Sequence, residues 1–133
     1  MVMRQIRTSI ETKGMIEKLK SIYRKEKFAQ DDLVTMTVGY ILNTAFRETE
    51  NISDWNRIID ANIILEEEFL SAVKITKTQI TRFRLSDITS QGIDKLTKNF
   101  ADELGLKVQV GFTVKQILKA AILLRNEGHD ESK

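Results

Sequence analysis

The chain has 133 residues, 41% of them apolar and 30% charged, with 21 Lys and Arg against 19 Asp and Glu for a net charge of +2. This is a globular composition with enough length to bury a core, and so small a net charge leaves the choice of partner to where the cations fall. The absence of cysteine excludes disulfides, zinc knuckles, iron–sulfur clusters and thiol nucleophiles, and the absence of proline tilts the chain toward helix.

No apolar run approaches the roughly 20 residues of a membrane span. The opening Met-Val-Met-Arg has no apolar stretch behind it, which argues against a secretory signal. A cytoplasmic location without membrane contact is expected.

The first predicted element is a strand over 3–9, where side chains alternate between two faces. Ile6 and Thr8 fall on the face meant for the core, and Gln5 and Arg7 on the other. Ser9 and Glu11 supply helix-start chemistry. The helix that follows carries Met15, Ile16, Leu19, Ile22 and Tyr23 on one stripe, with Lys13, Lys18, Lys20, Arg24, Lys25 and Lys27 giving it a basic character. A linker over 27–35 leads to a second helix starting at Thr37 as N-cap and running through Ile41, Leu42 and Ala45.

The segment 50–78 is too apolar for a flexible linker. Ser53 is expected to cap a short helix through Trp55 and Ile59, and 63–73 reads as another helix. This helical connector should pack over the core and cross between the chain's two ends.

Beyond it the opening pattern returns. A strand over 80–85 puts Phe83 and Leu85 on one face and Arg82 and Arg84 on the other. Ser86 and Asp87 start a helix with Ile88, Ile93, Leu96 and Phe100 on its stripe. A linker over 104–112, broken by Gly105 and Gly111, precedes a helix from Thr113 through Ile117, Leu118 and Ala121. The polar tail 128–133 should fray.

The return is more than pattern. Residues 7–23 lie over 84–100 at an offset of 77 with six identities (Arg7/Arg84, Ser9/Ser86, Thr12/Thr89, Ile16/Ile93, Lys18/Lys95, Leu19/Leu96). Residues 34–46 lie over 110–122 at an offset of 76 with six more (Val34/Val110, Thr37/Thr113, Val38/Val114, Ile41/Ile117, Leu42/Leu118, Ala45/Ala121). Twelve identities in these thirty positions compare with about two by chance, which points to an internal duplication. The competing explanation is that two amphipathic hairpins look alike through patterning alone.

The expected fold is therefore α+β and mostly helical: one domain, 1–133, with strand-helix-helix repeats at 2–48 and 79–126 sharing a two-stranded antiparallel ribbon, joined by the connector 50–78. Apolar-inward and Arg/Gln-outward faces suit a ribbon entering a major groove, where arginine forks to guanine and glutamine to adenine. The bland alternative is the solvated face of a sheet.

On these strands and helix pairs the chain resembles the ribbon-helix-helix superfamily of DNA-binding proteins, in fused tandem form. The resemblance covers about residues 2–48 and 79–126 and implies that Gln5, Arg7, Arg82 and Arg84 read bases of double-stranded DNA. It also implies that the second-helix starts, around Thr37 and Thr113, hold phosphates with help from Lys107 and Lys115. Repressors and plasmid transfer or partition factors are the roles such folds suggest. The fusion, the long inter-helix segments and the connector depart from the family pattern.

No enzyme is legible. His129, the lone histidine, sits in the polar tail; Glu66, Glu67 and Glu68 are consecutive and so spread around a helix; Gly105 and Gly111 lack the lysine and spacing of a phosphate loop. Trp55, Tyr23 and Tyr40 stand singly among aliphatic residues and read as core. No cofactor is expected, and the chain should be a monomer or weak dimer. The alternative function is a non-enzymatic protein-interaction module, docking a partner through its helices, with the outer arginines serving solubility. The much more basic first helix at one end is compatible with unequal DNA contacts or with such a partner on one side.

Overall fold

The computed structural model describes residues 1–28, 31, 33–75 and 79–131, the side chains of 127–131 excepted. The chain is mostly helical with one small sheet. In order, its elements are β1 (Val2–Arg7), α1 (Ile10–Lys27), α2 (Val38–Thr49), α3 (Trp55–Asp60), α4 (Glu67–Ser71), β2 (Ile80–Leu85), α5 (Asp87–Leu104) and α6 (Val110–Glu131).

The two strands come from far apart in the chain and pair antiparallel, Gln5 opposite Arg82, Arg7 opposite Ile80 and Met3 opposite Arg84. A two-stranded ribbon is marginal alone and needs a packed face. Here Ile6, Thr8, Phe83 and Leu85 are buried against the helices, as their alternation predicts. The end of the ribbon is closed by Thr8, whose backbone N–H donates to the Gln79 carbonyl at 2.7 Å and whose hydroxyl lies 2.7 Å from that of Thr81. The first strand begins one residue earlier than its pattern suggested and ends at Arg7, because Ser9 is already occupied as a cap.

Both strands lead directly into 18-residue helices. Ser9 Oγ accepts from the Thr12 N–H at 3.1 Å, and Ser86 Oγ from the Thr89 N–H at 3.2 Å, satisfying donors that the helix starts leave free. α1 buries Met15, Ile16, Leu19 and Tyr23 on the expected stripe. In α5, Ile93 and Phe100 are buried, but Ile88 is 78% exposed: it sits in the first turn, one side away from the stripe that Phe100 defines. Gly105 ends α5 in the left-handed conformation (φ 65°), which glycine adopts without a Cβ penalty.

α6 lies at the centre. Seven consecutive residues, Gln116 to Ile122, are buried, so this helix is covered all round by α1, α2, α5 and α3. Its start corrects the sequence reading. α6 begins at Val110, so Gly111 lies inside the helix rather than breaking the chain, and Thr113 is no cap. Thr113 is fully buried, with its hydroxyl 2.6 Å from that of Thr97. Thr37, by contrast, does cap α2, accepting from the Tyr40 N–H at 3.1 Å.

The connector is less helical than expected. α3 is capped by Asp54 rather than Ser53, its carboxylate accepting from the Arg57 N–H. The predicted helix over 63–73 shrinks to the five residues of α4, with 61–66 irregular. Long-range contacts hold the segment instead. Leu65 and Leu70 pack where Gly14 leaves α1 without a side chain, Lys18 pairs with Glu66 at 2.9 Å, and buried Lys119 donates to the Ile59 and Ala61 carbonyls at 3.1 and 2.9 Å. Burial lowers the Lys119 pKa from its ordinary value, with Lys115 nearby acting in the same direction.

Trp55 packs edge-on against Phe100, and Tyr40 against Phe28, in keeping with core roles. Tyr23 is fully buried and donates to Glu48 Oε1 at 2.7 Å, while Arg125 bridges Glu48 and Glu26 and lies over the Tyr23 ring. Backbone helix continues through the expected frayed tail to Glu131. The side chain of His129 and residues 132–133 lie outside the described residues.

Candidate nucleic-acid interface

Alternation gives the ribbon a second face with nothing among the described residues packed on it. Met3, Gln5, Arg7, Ile80, Arg82 and Arg84 are all exposed there. The register arranges them in three cross-strand pairs: Met3 with Arg84, Gln5 with Arg82, and Arg7 with Ile80. At the middle pair the side chains meet, Arg82 Nε donating to Gln5 Oε1 at 3.2 Å. Among the described residues Arg7 and Arg84 make no ion pair or side-chain hydrogen bond, so their guanidinium forks face solvent.

Arg4 shows what a committed arginine in the same strand looks like. It falls on the other face, where one guanidinium nitrogen donates to Ser90 Oγ at 2.8 Å and the other to Asp94 Oδ1 at 2.9 Å. Arg4 thus ties β1 to α5, and the contrast with Arg7 follows from the one-residue change of face.

A cleft flanks each end of the ribbon. One, of about 530 Å³, is lined by Met3, Arg84 and the first turn of α2 at Thr37, Val38 and Gly39. The other, of about 620 Å³, is lined by Arg7, Lys107, Gln109, Gly111 and Lys115 at the start of α6. In each, a glycine at the second position of the helix lets the helix start approach a strand end. A Cβ on Gly39 would collide with the Arg84 carbonyl, and one on Gly111 would lie 2.7 Å from the Arg7 carbonyl. Helix starts present free N–H groups and the positive end of the helix dipole, so each cleft combines an arginine with an anion-favouring helix end.

The sequence-predicted residues thus divide. Gln5, Arg7, Arg82 and Arg84 share the exposed face. Thr37 is exposed at its cleft with its side chain engaged as a cap. Lys107 is exposed at the other cleft, whereas Lys115 pairs with Glu11 at 3.1 Å. Thr113 is buried and takes no part; Gln109 and Gly111 stand at the helix start in its place. Met3 and Ile80, which polarity does not mark as base readers, join Gln5, Arg7, Arg82 and Arg84 on the exposed face, turned outward by the same alternation.

Among the described residues no helix is long and apolar enough to cross a membrane, and no group of His, Asp or Glu side chains is arranged to hold a metal ion. No family model, curated protein or solved structure matches the chain, which leaves its own residues and geometry to carry the functional reading.

Proposed function

We propose that the chain is a sequence-specific, non-enzymatic double-stranded DNA-binding protein of the cytoplasm that reads the major groove with its ribbon, as a pseudo-dimer within one polypeptide. The observation that carries the proposal is the unshielded outer face. Four groups able to read base edges, Gln5, Arg7, Arg82 and Arg84, stand on it together, and the apolar face of the same ribbon is buried against the helices.

The register supports the internal-duplication reading. The offset of 77 that relates the chain's two ends maps Gln5 onto Arg82, and these two residues are directly paired. The same offset maps Arg7 onto Arg84 and Met3 onto Ile80, so the outer pairs exchange about a pseudo-two-fold axis through the Gln5–Arg82 pair. Equal 18-residue helices started by Ser9 and Ser86 fit the same scheme.

The geometry gives the reading a scale. Arg7 and the partner of Arg84, Met3, are four residues apart on β1. At about 3.3 Å per residue this separates the two arginines by about 13 Å along the ribbon, or about four base pairs of DNA. Two guanines in inverted arrangement at roughly that separation are the expected core of the site. Phosphates on either side would meet the start of α2 at Thr37 and the start of α6 with Lys107 and Lys115. A ribbon-helix-helix ancestry and a role in repression or plasmid transfer or partition are compatible with this reading.

A second reading, a protein-interaction module docking through the connector, draws on Ile64, which is 90% exposed there. Binding of the purified chain to mixed-sequence duplex across a salt series separates the two. DNA binding predicts association at low salt that weakens linearly in log[salt]. Absence of binding at low salt would favour the interaction module.

A further inference from the structure

We infer that Met3 and Ile80 are specificity-determining residues that recognise thymine methyl groups, one in each half of the DNA site; the inference rests on the ribbon reading proposed above. Met3 is 57% and Ile80 38% exposed on the face that carries the arginines. Isolated exposed apolar side chains are ordinary, but these two are not placed at random. Each is the cross-strand partner of an outward arginine, Met3 of Arg84 and Ile80 of Arg7, and the two are related by the same offset of 77 as the arginines.

In the major groove the thymine C5 methyl is the one apolar feature on a base edge, and an apolar side chain is its natural contact. Directly opposed residues of an antiparallel pair stand about 5 Å apart across the ribbon, at one level along it. With an arginine forked onto a guanine, its cross-strand neighbour lies beside it in the groove, within reach of the adjoining base pair about 3.4 Å away. Each half-site is then a guanine followed or preceded by an A·T pair whose methyl meets Met3 or Ile80. The two residues differ in shape: Ile80 is branched and stiff, Met3 unbranched and adaptable. The Ile80 half should therefore be the stricter of the two.

Deoxyuridine tests this from the DNA side, since it removes the methyl and keeps every hydrogen-bonding group. The preferred site of the full chain is first selected from random duplex, and each thymine in it is then replaced singly. The expected result is a loss of about fourfold in affinity at one thymine in each half, the worth of one buried methyl. Met3→Ala should abolish the loss at one of these positions and Ile80→Ala at the other, each with an unchanged circular dichroism spectrum. Uracil substitution without effect anywhere, or full sensitivity retained in both variants, would overturn the inference. The ribbon reading would survive that outcome if Arg7→Ala and Arg84→Ala relax the guanine preference. If those two variants leave the selected sequence unchanged, the ribbon reading fails and takes this inference with it.

Discussion

Gln5 and Arg82 face each other across the ribbon, with Arg82 Nε donating to Gln5 Oε1 at 3.2 Å. These two residues are also the ones that the offset of 77 relates to each other, and they differ in type. The central base pairs of the site should therefore break its inverted symmetry. Replacing Gln5 with Arg should make the selected site more symmetric and weaken the preference for one binding orientation. Site selection with the Gln5→Arg variant checks this; an unchanged, asymmetric consensus would remove the central pair from the reading surface.

Lys107 and Lys115 differ in a way that separates them experimentally. Lys107 is exposed, and Lys115 is held by Glu11 at 3.1 Å. Lys107→Ala should weaken binding to all duplexes alike and lower the slope of log K against log[salt] by about 0.9, the share of one phosphate contact. Glu11→Ala should act in the opposite sense, freeing Lys115 and tightening non-specific binding at low salt. A salt titration of each variant on mixed-sequence duplex measures both effects.

Gly39 gives a test in which two effects have opposite sign. Alanine is favoured over glycine inside a helix by about 1 kcal/mol. A Cβ at Gly39, however, meets the Arg84 carbonyl, a backbone atom that has no rotamer to escape into. Overpacking of this kind costs about 1–3 kcal/mol, so Gly39→Ala should lower the melting temperature and weaken DNA binding together. A rise in melting temperature would show that the α2 start stands farther from the ribbon.

Glu48 should make stability pH-dependent. Burial raises its pKa, but hydrogen bonds from Arg125 and Tyr23 outweigh that effect and hold the carboxyl below its ordinary value. A folded-state value below the unfolded one means that the stabilisation is fully present above about pH 4.3, the ordinary glutamate value. It is lost as pH falls from there through the lowered folded value. Glu48→Gln should cost about 1–3 kcal/mol at neutral pH and flatten that acid limb. Denaturant melts between neutral and acid pH, wild type against variant, give the comparison.

Local chemistry was readable where it decides structure by itself. The alternation of Ile6 with Arg7 and of Phe83 with Arg84 announced the ribbon's two faces, and Ser9, Ser86, Thr37 and Gly105 marked helix ends by their own hydrogen bonds or φ. What escaped depends on distant partners. Thr113 looks like a cap until the Thr97 hydroxyl and the packed centre take it inside, which lets α6 start a turn sooner at Val110. The connector's periodicity overstated its helix because Leu65 and Leu70 are placed by the gap at Gly14, not by a helical stripe. Alternation puts Arg4 on the face opposite Arg7, but that Asp94 meets it there shows only once β1 and α5 are both in place. Met3 and Ile80 lie on the outer face by the same alternation, but only the register sets each of them opposite an arginine.

Selection of preferred sites from random duplex DNA by the wild-type chain, Arg7→Ala and Arg84→Ala decides whether the ribbon reads bases. The wild type should select an imperfect inverted repeat with guanines about four base pairs apart. Each variant should lose preference at one guanine, the two positions related by the pseudo-two-fold axis, at a cost of about 1–3 kcal/mol on the preferred site. Non-specific binding should fall far less, because phosphate contacts remain. An identical consensus from all three proteins would leave the ribbon a structural element only.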